Sequence, residues 1–559
     1  MKKIAFNSIV LMCILSWSIR LSAQSFSPQN SPKYETRAVW LTTLNGIDWP
    51  RSHAMLTQQE ELRQILDRLK KAGINTVFFQ TRVRGTVTYP SAFEPWDGCL
   101  TGKPGIAPNY DPLQFAIDEC HRRGIQLHAW VVTIPIGKWN KIGCSQLRKK
   151  QPKLVKKIGD DGFLSPEAPE TADYLARICR EIVANYDVDG IHLDYIRYPE
   201  TWKGRTPKTQ GRANITRIVR AIHREVKSLK PWVMLSCSPI GKHDDLLRYR
   251  SYGWNARTTV CQDAQQWLHE GIMDALFPMM YFRDNQFFPF AIDWQEHSYG
   301  RVVAPGLGIY FLDPREGKWT LGDVERQMHV LRQLGMGHCF FRTKFLLDNV
   351  KGIYDFVVRF NTVPALVPPM KWQSTELPET PEIIGIGNDG RLRWLIKNAD
   401  SSTLTYNVYA SEKFPVDINN PANIVITNTS LKELIIDANF TGNYAVTSVD
   451  RYGNESRPAQ LQLRGSSDES DKIDLSKILK ADQFLALPPK PSTVDAPYVI
   501  FETILGQPVT VQPYGNHYYD VSELPDGFYQ WRTLNEKGRS HRMGFFSIKH
   551  QSATCPSSK

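Results

Sequence analysis

What the 559-residue chain lacks excludes several classes of protein. Its nine cysteines include no C-x-x-C pair, which argues against a zinc motif and against a disulfide scaffold. His128 and His192 could hold a metal together with Asp194, but no H-x-x-x-H or similar spacing supports this, so we expect no metal and no cofactor. A nucleotide-binding glycine loop, a basic stripe and known nucleic-acid motifs are missing, so nucleic acid is not an expected partner. Nothing in the sequence specifies an oligomeric state.

Residues 1–23 have the pattern of a cleaved secretory signal. Lys2 and Lys3 precede an apolar run that ends in small residues at Ala23, where we expect cleavage. The mature protein is then exported, to the periplasm or the cell surface. No later stretch is apolar for long enough to span a bilayer, so no membrane span is expected. Removal of Lys2, Lys3 and Arg20 lowers the formal charge from +11 to +8. On so long a chain, a positive charge of this size is better explained by a need for solubility than by binding to an anionic partner.

Eight strand-like runs alternate with amphipathic helical patterns between residues 35 and 360. The runs occupy residues 38–43, 76–82, 126–133, 190–196, 233–238, 275–282, 302–310 and 337–343. This alternation predicts an α/β fold in which a (β/α)8 TIM barrel is followed by small all-β domains. An open doubly wound sheet has the same periodicity, but it does not account for polar residues near the end of nearly every strand.

Polar and aromatic residues at the strand ends predict the binding site, because the active site of a TIM barrel collects at the carboxyl ends of its strands. The predicted substrate-binding residues are Asp48, Trp49, Gln80, Arg82, His128, Trp130, His192, Arg197, Tyr198, Tyr281, Tyr310 and Arg342. Flat aromatic faces at a polar mouth suit stacking against sugar rings. The expected partner is therefore an oligosaccharide or polysaccharide.

The stretch "DVDGIHLDYIRYPE", residues 187–200, contains the first candidate for catalysis. Strand alternation places His192 and Asp194 on one face and the apolar residues between them on the other, so Asp194 is expected to point into the barrel. We assign it the ionised role in glycoside hydrolysis, stabilised by Arg197 and His192. The alternative is that Asp194 only forms an ion pair with a barrel arginine such as Arg82.

Hydrolysis of a glycosidic bond needs a second carboxyl group, with a raised pKa, to protonate the leaving oxygen. Glu94, Asp48 and Asp284 all follow strand ends at the predicted mouth. Glu94 ranks first because its neighbours Phe93, Pro95 and Trp96 would desolvate it. The alternative for Glu94 is a loop residue packed by Trp96.

Four motifs occur in order along the predicted barrel: "ETRAVWLTTLNGIDWP", "INTVFFQTRVRGTVTYPSAFEPW", "YDPLQFAIDECHRRGIQLHAW" and "VDGIHLDYIRYP". Together they resemble the glycosyl hydrolase-like 10 family. The resemblance implies a (β/α)8 barrel and bacterial polysaccharides, especially cell-wall glycan, as substrates. Two positions depart from the family pattern: Tyr195 follows Asp194 where many relatives have a second aspartate, and Thr86 stands where many have an acidic residue.

The same strand shows a more distant likeness to family 18 chitinase-type hydrolases. Their D-G-x-D-x-D-x-E signature matches at Asp189, Gly190 and Asp194, but His192 and Ile196 occupy the other two places. The missing glutamate is the general acid of that family, so we do not expect the chitinase mechanism. Asp189 has the opposite parity from an inward strand residue and is interpreted as a structural turn residue.

The composition changes after residue 360. The proline-rich residues 361–374 are predicted to be a linker, and the short alternating strands of 375–464 predict a β-sandwich. Within it, "YAVTSVDRYGNES" resembles the closing hairpin of a fibronectin type III domain. A polar linker, 465–482, precedes a predicted β domain, 483–550, that resembles carboxyl-terminal sorting-type domains of exported bacterial proteins.

Two functions of different class fit these observations. The first is a secreted glycoside hydrolase that acts on bacterial polysaccharide, especially cell-wall glycan strands. The second is a non-catalytic glycan-binding surface protein built on a degenerate barrel. Turnover of a glycan by the wild type, and its loss in an Asp194 variant, distinguishes the two.

Overall fold

A computed structural model of the chain describes residues 31–463, apart from 205, 250, 252, 388, 399–402, 437–439 and 441, and short segments between 484 and 554. The expected signal, 1–23, and the expected linker, 465–482, lie outside the described residues. Among the helices that are described, none combines the length and the apolar character needed to cross a membrane.

A single parallel sheet of nine strands forms the centre of the first domain, and its order is β10-β9-β8-β7-β3-β2-β1-β12-β11. The strands are β1 (Arg37–Leu41), β2 (Thr76–Arg82), β3 (Gln126–Val132), β7 (Gly190–Asp194), β8 (Met234–Cys237), β9 (Ala275–Leu276), β10 (Val302–Val303), β11 (Gly306–Leu307) and β12 (His338–Phe340). β10 and β11 are two halves of one segment: the first pairs with β9 and the second with β12. The sheet therefore closes into the predicted eight-membered barrel.

Two strands are shorter than the sequence predicts. The runs expected at 275–282 and 302–310 form only β9, β10 and β11. Pro278 and Pro305 lie within these runs, and proline has no backbone N–H to donate to a neighbouring strand. The carbonyl of Pro278 still accepts from the Gly306 N–H at 2.8 Å, so the barrel stays closed where regular pairing stops.

Helices follow the strands and cover the outside of the barrel. The described part of the chain contains α1 (Met55–Lys71), α2 (Pro112–Arg122), α3 (Ile142–Lys150), α4 (Glu170–Asn185), α5 (Lys208–Leu229), α6 (Ala264–His269), α7 (Phe288–Glu296), α8 (Leu321–Gln333), α9 (Thr343–Leu347) and α10 (Ile353–Phe360). The outward residues of the strands, such as Ile191 and Leu193, join the apolar faces of the helices in one large core. Inward residues such as Trp40 and Phe78 form a second core inside the barrel.

An insertion between β3 and α4 adds a small antiparallel sheet at the mouth. Its strands are β4 (Pro135–Lys138), β5 (Val155–Ile158) and β6 (Asp161–Leu164), in the order β4-β6-β5, and α3 packs beside them. Gly143 lies against the loop after β2, so close that an added Cβ would be 2.3 Å from the Gly85 carbonyl oxygen. We call residues 135–164 the rim insertion.

The proline-rich segment 361–374, predicted to be a linker, is packed against the amino-terminal end of the barrel. Met370 belongs to the core inside the barrel, and Trp372 packs against that core. The Trp372 indole N–H donates to Asp274 at 2.8 Å, and the Leu366 N–H donates to the Lys33 carbonyl at 2.8 Å. The segment therefore closes the floor of the barrel.

Seven antiparallel strands follow, in two sheets of three and four strands. They are β13 (Glu382–Ile386), β14 (Arg391–Leu395), β15 (Thr405–Ser411), β16 (Ile424–Thr429), β17 (Glu433–Ile435), β18 (Asn443–Val449) and β19 (Ala459–Leu461). The sheets have the orders β13-β14-β17 and β16-β15-β18-β19. Trp394 and Tyr406, one from each sheet, are fully buried between them with ring centroids 5.7 Å apart, as expected of a β-sandwich.

The last described segments are all strands. They are β20 (Phe484–Ala486), β21 (Tyr498–Thr503), β22 (Pro508–Val509), β23 (Gln512–Pro513), β24 (Tyr518–Asp520), β25 (Gly527–Leu534), β26 (Ser540–Lys549) and β27 (Ser552–Thr554). Phe501 and Trp531 share a core cluster with Trp394 of the sandwich, so this unit packs against the sandwich.

Candidate active site

Asp194 is the last residue of β7 and lies at the carboxyl end of the barrel, as alternation predicts. Its Oδ1 accepts from the Tyr195 N–H at 2.8 Å and the Ser238 hydroxyl at 3.0 Å, and its Oδ2 accepts from the Trp130 indole N–H at 3.2 Å. Only 8% of the residue is exposed. The carboxyl group is thus held in a fixed orientation by three neutral donors.

The electrostatics of Asp194 do not fit the ionised role that the sequence predicts for it. Burial raises the pKa of Asp194, and the opposing effects of the Arg197 charge and the three hydrogen bonds do not cancel it. Arg197 forms its ion pair with Glu200, at 2.8 Å, and makes none with Asp194. The alternative of a pair between Asp194 and Arg82 is wrong, because Arg82 binds Glu94. Asp194 therefore favours the protonated form more than an ordinary aspartate does.

Tyr195 is a site residue that the sequence analysis did not select. Its φ is +53°, a left-handed conformation that is rare for an aromatic residue and is concentrated at functional sites. This turn directs the Tyr195 N–H to the Asp194 carboxylate, while the Tyr195 ring lies 4.4 Å from the Arg197 guanidinium carbon. The signal in the sequence that could have identified Tyr195 was its departure from the family pattern, directly after Asp194.

Glu94, the expected proton donor, is locked in a buried ion pair. The Arg82 Nε donates to Glu94 Oε2 at 2.7 Å and the Arg82 Nη2 to Oε1 at 2.6 Å, and the Tyr174 hydroxyl also donates to Oε1, at 2.8 Å. The Arg82 and Glu94 side chains are 0% and 3% exposed. A bidentate arginine stabilises the ionised carboxylate, so this geometry opposes the assignment of Glu94 as the general acid.

Asp48 and Arg342 meet, as predicted, but they bind each other. Arg342 Nη1 contacts Asp48 Oδ1, and the Thr42 N–H donates to Asp48 Oδ2 at 3.0 Å. Burial raises the pKa of Asp48, with the Arg342 charge acting in the opposite direction. Beside them, Gln80 Oε1 accepts from the Thr42 hydroxyl at 2.6 Å and from the Leu44 N–H at 2.9 Å, which fixes the loop after β1.

His192 and His128 lie inside the barrel below the mouth, so the structure does not bring them to the expected binding surface. His192 is fully buried: Nε2 accepts from the Trp40 indole N–H at 3.0 Å, and Nδ1 lies 3.0 Å from the Ser236 hydroxyl. Burial lowers the pKa of His128 to about 4 and that of His192 well below its usual value. Both imidazoles are therefore neutral, and they serve as packing groups.

The metal alternative gains no support from this arrangement. Both ring nitrogens of His192 already have protein partners, so neither can ligate a metal beside Asp194. Within the described residues, the one cluster of potential metal ligands is Asp293, Glu296 and His297, on and after the outer helix α7.

Aromatic rings surround the mouth, although two of the predicted ones turn away. Trp130 contacts Asp194, and the Tyr281 and Tyr310 rings lie 5.6 Å from each other. Trp49 is fully buried and donates to the Gln58 carbonyl at 2.7 Å, so it packs under α1 and is not available to substrate. Tyr198 belongs to the outer core, where its hydroxyl accepts from Asn214 at 3.0 Å.

Two further features suit a ligand at the mouth. The Tyr281 hydroxyl is buried and has no hydrogen-bond partner among the described residues, although Asp194 contributes to the rise of the Tyr281 pKa, after the larger effect of burial. Trp254, which the sequence analysis did not select, is 38% exposed and its ring centroid lies 6.0 Å from the Arg197 guanidinium carbon. An unsatisfied hydroxyl and an exposed indole face are complementary to a sugar's hydroxyl groups and apolar ring face.

Asp284 occupies the rim in an exposed position. Its side chain is 60% exposed and its nearest cation is Arg326 Nη1, at 3.3 Å. Of the four carboxylates considered for catalysis, Asp194 is therefore the one that is buried without an ion pair to an arginine.

Comparison with known proteins supports the resemblance stated above for the barrel. Residues 35–310 match the model of the family Glycosyl hydrolase-like 10. A protein named glycosyl hydrolase YngK, from Bacillus subtilis (strain 168), is 28% identical over 474 residues, covering 76% of this chain and 92% of that protein. Glycosyl hydrolase DigH from Escherichia coli (strain K12) is 32% identical over 285 residues, covering 44% of this chain and 65% of its own length.

The comparison with solved structures gives matches at low identity and low TM-score. The glycoside hydrolase domain of PgaB (BpsB) from Bordetella bronchiseptica matches with a TM-score of 0.41 and 14% identity, over 58% of this chain and 98% of that chain.

Proposed function

From the match of residues 35–310 to the Glycosyl hydrolase-like 10 family, we propose that this protein is a secreted glycoside hydrolase acting on bacterial polysaccharide. Its substrate is the glycan strand of the cell wall. The names of the relatives support the reaction class, and the expected signal at 1–23 supports export. The β-sandwich is a fibronectin type III-like domain in this proposal, and the last β unit is of the sorting type.

The observation that carries the proposal is the environment of Asp194, a buried carboxyl group with a raised pKa and an orientation fixed by three hydrogen bonds. A carboxyl group that donates a proton to a glycosidic oxygen must be protonated before the reaction, which requires a raised pKa. Asp194 has a pKa raised by burial, it lies at the carboxyl end of the barrel, and three neutral donors orient it. We therefore assign to Asp194 the proton-donating role that the sequence analysis gave to Glu94.

The rings around Asp194 position the sugar in this account. The Trp130 indole N–H donates to the Asp194 carboxyl group, and the partly exposed Trp254 ring lies 6.0 Å from the Arg197 guanidinium carbon. Stacking on these rings binds the apolar faces of sugars, while the free Tyr281 hydroxyl bonds to one sugar hydroxyl or carbonyl. Binding thus does not depend on the Asp194 proton.

The test is the release of reducing ends from purified cell-wall glycan by the full chain and by two variants. Asp194→Asn keeps the shape of the side chain and removes its proton, so turnover is expected to fall by about a thousandfold or more. The matched control, Asp284→Asn, removes an exposed carboxylate from the same rim and is expected to keep turnover within about twofold. Equal turnover by wild type and Asp194→Asn would contradict the proposal.

One observation favours the second candidate, a glycan-binding protein without catalysis. Glu94 and Asp48 are both bound to arginines, so no second free carboxyl group is assigned beside Asp194. This candidate predicts that wild type and Asp194→Asn bind an oligosaccharide equally and that neither releases reducing ends.

A further inference from the structure

The rim insertion concentrates positive charge at one side of the mouth. Between Lys138 and Ile158 the sequence has eight basic residues and no acid, although the whole chain carries a formal charge of only +11. The basic residues are Lys138, Lys141, Arg148, Lys149, Lys150, Lys153, Lys156 and Lys157. The statement that the chain has no basic stripe therefore does not hold for this segment.

The charges in this cluster are exposed, and acids do not neutralise them. Lys141, Lys149, Lys150 and Lys153 are all exposed, and none forms an ion pair with a described residue. The nearest acids along the chain are at the turn of the hairpin, where Asp161 pairs with Lys138 at 3.0 Å. A surface that keeps many like charges together without internal partners produces a local positive potential that attracts polyanions.

Two tryptophans lie within the same surface. The Arg148 guanidinium carbon is 4.4 Å from the Trp139 ring centroid, and Lys156 Nζ is 4.1 Å from the Trp202 ring centroid. Both indoles are only partly buried. Cations alternating with flat aromatic faces suit a chain of sugars that carry negative groups, because the rings stack on sugars while the cations neutralise the charges.

The position of the cluster connects it to the candidate active site. Trp202 belongs to the loop that follows Asp194, and its indole N–H donates at 3.2 Å to Glu167, which follows the insertion directly along the chain. On its other side, the insertion packs against Gly85 in the loop after β2. The exposed Arg84 precedes that glycine and contributes to the electrostatics of Tyr195, so positive charge continues from the insertion to the mouth.

We propose that the rim insertion is a binding surface for an anionic polysaccharide, with carboxylate or phosphate groups along its strand, that guides this polymer to the mouth. This proposal rests on the proposed function, because hydrolysis is the purpose of guiding the polymer to the mouth. Binding of the polymer to the insertion does not itself require hydrolysis. The surface lies outside the Asp194 cluster and adds affinity for long, charged strands only.

The test compares two triple variants of the full chain. Lys149→Gln, Lys150→Gln and Lys153→Gln together remove three charges of the insertion, whereas Lys371→Gln, Lys413→Gln and Arg457→Gln remove three exposed charges from the floor segment and the sandwich. The probes are polygalacturonate, a ribitol phosphate polymer and neutral dextran. Equal thermal midpoints of the three proteins establish that both variants are folded.

The insertion variant is expected to bind the anionic polymers at least about tenfold more weakly at low salt, and the difference shrinks in about 0.5 M NaCl because salt screens exposed charges. Tighter binding of either anionic polymer than of dextran by wild type supports the proposal. The anionic polymer that binds more tightly identifies the charged group, carboxylate or phosphate, that the surface prefers. Three results would overturn it: equal weakening in the control variant, binding of dextran by wild type as tight as that of the anionic polymers, or tighter binding of duplex DNA, used as a fourth probe, than of either anionic polymer. If wild type binds the anionic polymers through the insertion but hydrolyses no cell-wall glycan, the proposed function is refuted and the binding surface is not.

Discussion

At the scale of single residues, Arg82 and Tyr174 occupy both oxygens of Glu94, so its carboxylate is held by an ion pair, whereas Asp194 has only neutral donors. The ion pair between Arg82 and Glu94 makes a prediction about stability. Glu94→Gln leaves Arg82 buried without a counter-charge, so the free energy of unfolding is expected to fall by about 3–5 kcal/mol. Turnover per folded molecule should stay within about threefold, because Asp194 and its donors are untouched. Chemical denaturation combined with an active-site titration measures both quantities. A large loss of turnover with unchanged stability would return the acid role to Glu94.

The site was predictable where one side chain's direction follows from backbone geometry. Alternation along β7 places Asp194 inward at a strand end, and the structure agrees. Partners were not predictable, because they depend on loops that fold back in three dimensions. Glu94 was expected to be desolvated by its sequence neighbours, whereas Arg82 and Tyr174 bind it.

At the scale of elements, hydrophobic periodicity identified the strands but not always their lengths. β1, β2, β3 and β7 form where alternating or continuous apolar runs predict them. The runs with internal prolines gave shorter strands, since a run of apolar residues does not reveal where backbone pairing stops. Asp189, interpreted as a structural residue, has that role: its Oδ2 accepts from the Leu127 N–H at 2.8 Å and lies 2.9 Å from His121 Nε2.

The pair between His121 on α2 and Asp189 before β7 predicts a pH dependence of stability. Burial alone would lower the pKa of His121, but the negative charge of Asp189 and its hydrogen bond raise that pKa overall. In turn, His121 helps to lower the pKa of Asp189 although burial acts to raise it. A raised histidine pKa contributes stability that is complete below its unfolded value, about 6.5, and is lost as pH rises through the folded value. The contribution of this pair to the unfolding free energy should therefore fall by about 1 kcal/mol between pH 6 and a pH above that folded value.

Asp189→Asn is the matched variant, because it keeps an acceptor for the Leu127 N–H and removes the charge. The stability of wild type relative to this variant should fall by about 1 kcal/mol over the same interval, because the buried His128 and His192, whose lowered pKa values stabilise the fold as pH rises, are common to both proteins. Urea unfolding at several pH values measures the difference. An equal slope in both proteins would show that other groups cause the pH dependence.

At the scale of the whole molecule, the sequence predicted the order of domains but not how they meet. The hairpin from Asp450 to Ser456 contacts the barrel. Arg451 pairs with Asp187 of the barrel, and Glu455 accepts from Lys33 at 2.5 Å. Tyr452 packs against the core inside the barrel. Contacts between domains depend on surfaces whose positions no local pattern encodes, so composition suggested a linker where the structure has a barrel floor.

The whole arrangement places Asp194, a carboxyl group whose pKa is raised by burial, at the barrel mouth beside aromatic rings, and the most direct measurement asks whether it donates a proton in the proposed reaction. Initial rates of wild type and Asp194→Asn are measured on aryl glycosides of the same sugar whose leaving groups differ in pKa. If Asp194 is the general acid, the variant's loss is about a thousandfold or more for poor leaving groups and shrinks to about tenfold for the best ones, which need no protonation. A loss that is the same for every leaving group would contradict this account.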